Sequence, residues 1–405
     1  MKHSIACCLA LVLAISAAST GALAASAQSP VILGGTGYDS CCDILSLADG
    51  SIILSLSSAG GRDGAAEYAD NVRKVWLLCL APDGSTVWET TFGETSANAS
   101  TVFYHLYSNG DGTFTGTLRC SIDQRMQYWQ TLTVSCTDGT IIFKSEAVPN
   151  TRDTDKILRE DYPHGGYTLT VETYHCDASC EPRYIRLLDA QGTELWCFDA
   201  ADLGLHDLQE WTPTAQGALL YGSDDSLSGI NGQPTAILID DRGQVLWSYR
   251  TTDLEDGVIR TGIIDSNGRF IGAGFTTGLP QTDAYAYDPA ATRHSQLLIC
   301  LDAADGTELW KHVNAQSERD LPSSNITEIG GQYLLCASAG KYSQIAYELL
   351  DKEGQALQYW TTSVADHTLI GPQFFWWDGE LWTETLLDGT DSDAMLERVV
   401  IPDGQ

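Results

Sequence analysis

The sequence predicts an all-β fold, a seven-bladed β-propeller of four-stranded antiparallel blades closed by its own N-terminal strand. Three observations predict it. A Leu…Asp-Gly…Trp hairpin recurs about every 50 residues, a second set of hairpins alternates with it, and the chain stops halfway through a seventh unit.

The first set reads Leu-Leu-Cys-Leu-Ala-Pro-Asp-Gly-Ser-Thr-Val-Trp at 77–88, then returns ending in Trp196, Trp247 and Trp310. Two weaker copies surround Gly139, with Phe143 at the Trp position, and Gly354, where Trp360 has slipped two places. The turn glycines at 84, 139, 192, 243, 306 and 354 are 55, 53, 51, 63 and 48 residues apart. Each copy is a strand, a polar turn whose Gly can take positive φ, and a second strand with an aromatic four residues later. The alternating hairpins turn near Gly50, Gly112, Gly166, Gly217, Gly268, Gly331 and Gly379. Two hairpins per period make one four-stranded blade, and no segment shows a helical period.

Seven of the alternating hairpins meet only six Trp-type hairpins, because the chain ends at Gln405 just past the seventh turn. The stretch Ser29 to Leu33 parallels Ser85 to Glu89 and supplies the missing outer strand, which removes two open edges. The alternative is six blades with extra flanking strands.

Residues 1–27 read as a secretory signal: Lys2, then the apolar run Cys8 to Ile15, then small residues. Cleavage is expected at Ala27/Gln28, with Ala24/Ala25 the competing site. The run is shorter than the roughly 20 residues a membrane span needs, and no second long apolar stretch follows. Residues 28–405 then form one propeller domain, secreted and monomeric, with about 54 residues per blade. The formal charge of the chain is -32, from 54 Asp+Glu against 22 Lys+Arg, and loss of Lys2 with the leader makes it -33. Such acidity repels nucleic acid and anionic lipid, so neither is an expected partner and no membrane insertion is expected.

Of the 12 cysteines, 10 remain beyond the leader, in a compartment that permits disulfides. Cys176 and Cys180 are the local disulfide candidates, in a polar loop. The adjacent Cys41 and Cys42 either close a strained ring or point to opposite sides of a strand, the second being preferred.

The stretch Gly34 to Asp39, Asp49-Gly50 and the Trp hairpins together resemble the repeats of secreted and cell-surface bacterial propellers. The segment Leu301 to Trp310 is similar to the docking motif of quinoprotein-like (PQQ-like) propellers. The resemblance implies that Trp88, Phe143, Trp196, Trp247 and Trp310 pack between neighbouring blades and are structural. It also implies that the first strand of each blade lines the central channel and the aromatic strand lies outermost.

On that topology Asp43, His105, Glu210, Arg260, Asn325 and His367 are expected at the channel mouth as a mixed polar ring. Their charges either satisfy one another or meet a ligand. The longest connection, 274–296, carries Tyr285 and Tyr287, which could stack on a ring. There is no His-Glu-x-x-His, Gly-x-Ser-x-Gly, phosphate-binding Gly-x-x-x-x-Gly-Lys or paired Cys-x-x-Cys. Asp388, Asp391 and Asp393 offer calcium oxygens without the spacing of an EF-hand. No metal or cofactor is therefore expected, with calcium or PQQ the exceptions the resemblance leaves open. The function expected is that of a non-catalytic binding or scaffold propeller engaging a protein or carbohydrate through its long-loop face. The alternatives are a quinone-dependent dehydrogenase, or a glycan hydrolase or lyase using Asp43 and Glu210 as acid and base.

Overall fold

The computed structural model describes residues 30–34, 38–60, 71–123, 125–149, 156–164, 167–175, 183–189, 192–224, 232–254, 257–276, 295–314, 325–339, 343–363, 368–388 and 392–402. Seven antiparallel sheets follow one another around the ring, six of them with their strands paired in sequence order. Blade 1 comprises Asp39–Ser46, Ile52–Ser58, Lys74–Leu80 and Thr86–Phe92. Blade 2 comprises Ala99–Ser108, Thr113–Ile122 and Arg125–Ser135, with an outer strand broken into Ile141–Lys144 and Val148–Pro149. Blade 3 runs Lys156–His164, Tyr167–His175, Arg183–Leu188 and Glu194–Asp199; blade 4 runs Asp207–Thr214, Gly217–Asp224, Gln233–Ile239 and Val245–Arg250. Blade 5 is Gly257–Ile264, Arg269–Thr276, Ser295–Asp302 and Glu308–Asn314, and blade 6 is Asn325–Ile329, Gln332–Ala339, Gln344–Leu350 and Ala356–Ser363. Blade 7 takes Thr368–Trp377, Glu380–Asp388 and Asp393–Arg398 from the C-terminal end and Val31–Leu33 from the N-terminal end.

That last strand closes the ring, pairing Val31 with Leu396, Ile32 with Met395 and Leu33 with Ala394. Seven blades with this closure match the sequence expectation, and the six-blade alternative is set aside. Among the described residues the only helix is a single turn, Ala200–Leu203, between blades 3 and 4. Among the described residues no helix is long and apolar enough to cross a membrane.

Burial explains which strands read as continuous apolar runs. Ile52–Ser58 is buried at every position, whereas Ala356–Ser363, an outer strand, alternates exposed and half-buried. Middle strands are covered on both faces by neighbouring blades, and outer strands face water on one side. The core is accordingly a set of seams between blades. Six apolar clusters fill the junctions 7/1, 1/2, 3/4, 4/5, 5/6 and 6/7.

Trp88, Trp196 and Trp247 are buried in these seams, each over the turn glycine of the next blade; Trp310, half-buried, lies the same way over Gly354. The indole Nε1 of Trp88 donates to Cys136 O at 2.8 Å, and that of Trp247 donates to Ala303 O at 3.0 Å. At Gly306, φ is +75° and a Cβ would lie 2.7 Å from the Trp247 ring, so both the turn and the docked indole require glycine.

Phe143 departs from the expectation. It is 55% exposed although it holds the register of the tryptophans, opposite Thr133 as Trp88 is opposite Cys79. The physical reason lies across the junction: a Cβ on Gly192 of blade 3 would meet nothing within 4 Å, so the ring does not pack on that glycine as Trp88 packs on Gly139. At the closing junction the roles are redistributed. The outer strand Val31–Leu33 has no aromatic, and Trp377 from the inner strand donates Nε1 to Ala81 O of blade 1 at 3.1 Å, backed by Trp382 at 4.8 Å.

The turns also explain part of the acidity. Asp49, Asp83, Asp111, Asp138, Asp240 and Asp351 each accept the backbone N–H two residues on, which fixes the turn conformation. These turns define one face of the ring. Connections from second to third strands, and crossings between blades, define the other.

Candidate functional site

Five of the seven inner strands carry a bulge at a similar depth in the channel: between Cys41 and Asp43, Tyr104 and Tyr107, Leu208 and Glu210, Ile259 and Thr261, and Ile370 and Gln373. A bulge leaves an unpaired residue and re-aims its neighbours, and here the backbone pays for that with glycine. In blade 4 a Cβ on Gly222 would sit 1.9 Å from Asp207 O. The bulges place Asp43, His105, Glu210 and Arg260, four residues expected at the mouth, at the inner edges of blades 1, 2, 4 and 5.

Asp43 ties two blades together. Its Oδ1 accepts Ile44 N–H and its Oδ2 accepts Leu106 N–H of blade 2, both at 2.7 Å. Burial nevertheless pushes its carboxyl up to about 6, the two N–H donors opposing the rise. Glu210 accepts from Tyr221 Oη at 3.0 Å. Burial pushes it up to about 7, and the charge of Asp43 adds to the rise while Tyr221 opposes it. Glu210 keeps exposure to water in the channel although protein encloses it, so solvent screens part of that effect.

His105, with φ +54°, forms an aromatic step with Tyr104 at 4.5 Å and with Tyr162 of blade 3 at 4.4 Å. Burial lowers its imidazole to about 4, so the ring is neutral at physiological pH. Arg260 is exposed, its guanidinium 6.0 Å from the Phe275 ring. Asn325 is half-buried at the start of the blade 6 inner strand. His367, Tyr285, Tyr287, Cys176 and Cys180 lie outside the described residues.

Glu384, on the second strand of blade 7, joins this cluster without having been singled out in the sequence. It is 3% exposed, accepts Gln373 Nε2–H at 2.9 Å, and is pushed up to about 8 by burial. Its field reaches Cys41 and Cys42, as does that of Asp43. The signal was present: an acid inside the apolar run Leu381 to Leu387, on a strand type buried throughout the ring, is an anomaly to be explained.

A pH dependence follows from Glu384. The native state holds its proton up to about pH 8, whereas an unperturbed Glu releases it near 4.5. Between those values the unfolded chain binds fewer protons, so stability falls as pH rises. At roughly 1.4 kcal/mol per pH unit, the penalty at neutral pH is on the order of 3 kcal/mol. Glu384→Gln, whose amide oxygen can still accept from Gln373, is expected to melt higher than wild type at pH 8 and equally at pH 4. Thermal melts at the two pH values check this, and an equal or lower midpoint at pH 8 would contradict the burial argument.

The donor set does not fit the two groups raised by the quinoprotein resemblance. Among the described residues no group of three or more Asp, Glu, His and Cys side chains is placed to hold a metal such as calcium. PQQ is a tricarboxylate, and among the channel residues described above only Arg260 offers it a positive charge. The described thiols of Cys41 and Cys42 are free, directed at Asp43 O and Ser40 O on a bulge.

No protein-family model and no curated protein matches the chain. Among solved structures it is similar to the polysaccharide lyase Uly1, at 12% identity and TM-score 0.50, covering 91% of this chain and 90% of that one. It is also similar to Sqt1 from Chaetomium thermophilum, at 12% and TM-score 0.47, covering 91% and 100%. A europium-containing methanol dehydrogenase aligns at 12% and TM-score 0.42, covering 89% and 84%. At these identities the likeness extends to the propeller fold and no further.

Proposed function

We propose that this protein is an exported, non-catalytic propeller that binds a carbohydrate at its channel mouth, approached from the long-loop face. One observation carries the reading: the aromatic step of His105 and Tyr162 stands at the inner edges of two blades, in a channel that also holds Asp43, Glu210 and Gln373. A pyranose presents both an apolar C–H face and hydroxyls, which aromatic rings and carboxyl or amide groups respectively can engage. Export rests on the leader read at 1–27. The non-catalytic part of the reading is supported by how the acids are held, since both oxygens of Asp43 accept backbone N–H bonds and Glu384 is buried against Gln373.

Glycan arrays test this with wild type and two variants, His105→Ala and Glu210→Gln. A retained oligosaccharide is expected, with affinity reduced about tenfold or more in each variant, corresponding to at least about 1.4 kcal/mol. Silence across the array, together with capture of a protein from surface extracts, would replace the carbohydrate with a protein partner.

A second reading has its own observation. Burial raises both Asp43 and Glu210 toward neutrality, and the charge of Asp43 adds to the rise at Glu210, as in a pair of carboxyls that could share acid and base roles. Reducing-end release from polysaccharides that is abolished in both Asp43→Asn and Glu210→Gln would favour it over simple binding.

A further inference from the structure

On the turn face, opposite the long loops, a small pocket of about 60 Å³ lies between blades 3 and 4. Tyr167, Leu187, Trp211, Pro213 and Asp241 are its principal walls. Trp211 is 6% exposed and anchored in the blade 3/4 core, so its indole is a fixed wall. Asp241 is the only charged residue in the pocket's lining. Pro213 has no N–H. The Thr214 hydroxyl donates to Gly217 O at 3.0 Å and accepts the N–H groups of Gln216 and Gly217, both at 3.1 Å. The Tyr167 hydroxyl is directed at Asp241 Oδ2 at 3.3 Å. Asp241 is exposed and, among the described residues, has no cationic partner.

We propose that this cavity binds an alkylammonium group, with Tyr167 and Trp211 as aromatic walls and Asp241 as the counter-charge. An anion would meet the Asp241 carboxylate, and a neutral polar group would leave that charge unmatched. A quaternary or primary ammonium needs only π faces and a negative charge, which is what the walls supply. The volume suits a single head group or the tip of a lysine side chain rather than a whole oligosaccharide. The site is independent of the channel, so it stands or falls separately from carbohydrate binding.

Choline is the probe, titrated into the full chain by ligand-observed NMR, beside its neutral isostere 3,3-dimethyl-1-butanol. Saturable choline binding is expected, about tenfold or more tighter than the isostere, and weakened about tenfold in Asp241→Asn. Equal binding of the isostere, no saturable choline binding, or unchanged affinity in Asp241→Asn would overturn the proposal. The isostere comparison is made on wild type, so it remains decisive even if the variant folds poorly.

Discussion

A chain beginning at Gly34 instead of Gln28 is expected to lose its closed ring, with the unfolding midpoint lowered by roughly 10 °C and soluble oligomers formed. The strand removed is only Val31–Leu33, but its loss acts in three ways. Burial of Leu33 in the blade 7/1 cluster contributes about 2 kcal/mol. The paired backbone contributes about 1 kcal/mol per hydrogen bond, so the total reaches about 4–6 kcal/mol, a large share of the 5–15 kcal/mol typical of a domain. Finally, Asp393–Arg398 becomes an open edge that can pair with another molecule. Thermal melts and size-exclusion chromatography read both effects, and a peptide spanning 28–34 added in trans should reverse them. A truncated chain with the wild-type midpoint and a monomeric elution volume would mean that closure does not rest on this strand.

The second large effect contrasts two aromatic positions of identical register. Trp247→Ala should cost about 3–5 kcal/mol, because the indole is 8% exposed, packs on Gly306 and donates to Ala303 O across the blade 4/5 seam. Phe143→Ala should change stability by no more than about 0.5 kcal/mol, since its ring is already in water. Denaturant unfolding of both variants measures the difference. Comparable losses would show that Phe143 is docked after all. A further check lies at Gly306→Ala, which forces both a strained φ and a 2.7 Å contact with the Trp247 ring, and should destabilise through the same seam.

The ring was legible in the sequence because each blade repeats the same local chemistry. Asp-Gly turns, apolar middle strands and a Trp four residues past the glycine are all consequences of forces acting within one blade or at one standard junction. The half-unit at the C-terminus made the closure legible too. What escaped was set by neighbours far away in sequence. Whether Phe143 is buried depends on where the Gly192 turn of the next blade lies, and the motif around residue 143 contains no trace of that. Trp377 docks the closing junction from an inner strand, where the outer strand Val31–Leu33 contains no aromatic.

The channel was partly legible for a similar reason. Asp43, His105, Glu210 and Arg260 could be placed by counting from the starts of inner strands. The bulges that set their direction depend on cross-strand register. Tyr162 and Tyr221 joined the site through contacts between and within blades, and Glu384 through burial behind the inner strand. Glu384 could have been found as a charge inside an apolar strand; Tyr162 carried no such mark.

Hydrogen–deuterium exchange with and without the oligosaccharide best retained on a glycan array tests the channel reading most directly. Protection is expected in the bulged inner strands, at 99–108 and 207–214, with the outer strands at 86–92 and 308–314 unchanged. Protection confined to the outer strands or to the turn face, with the inner strands unaffected, would contradict binding at the channel mouth.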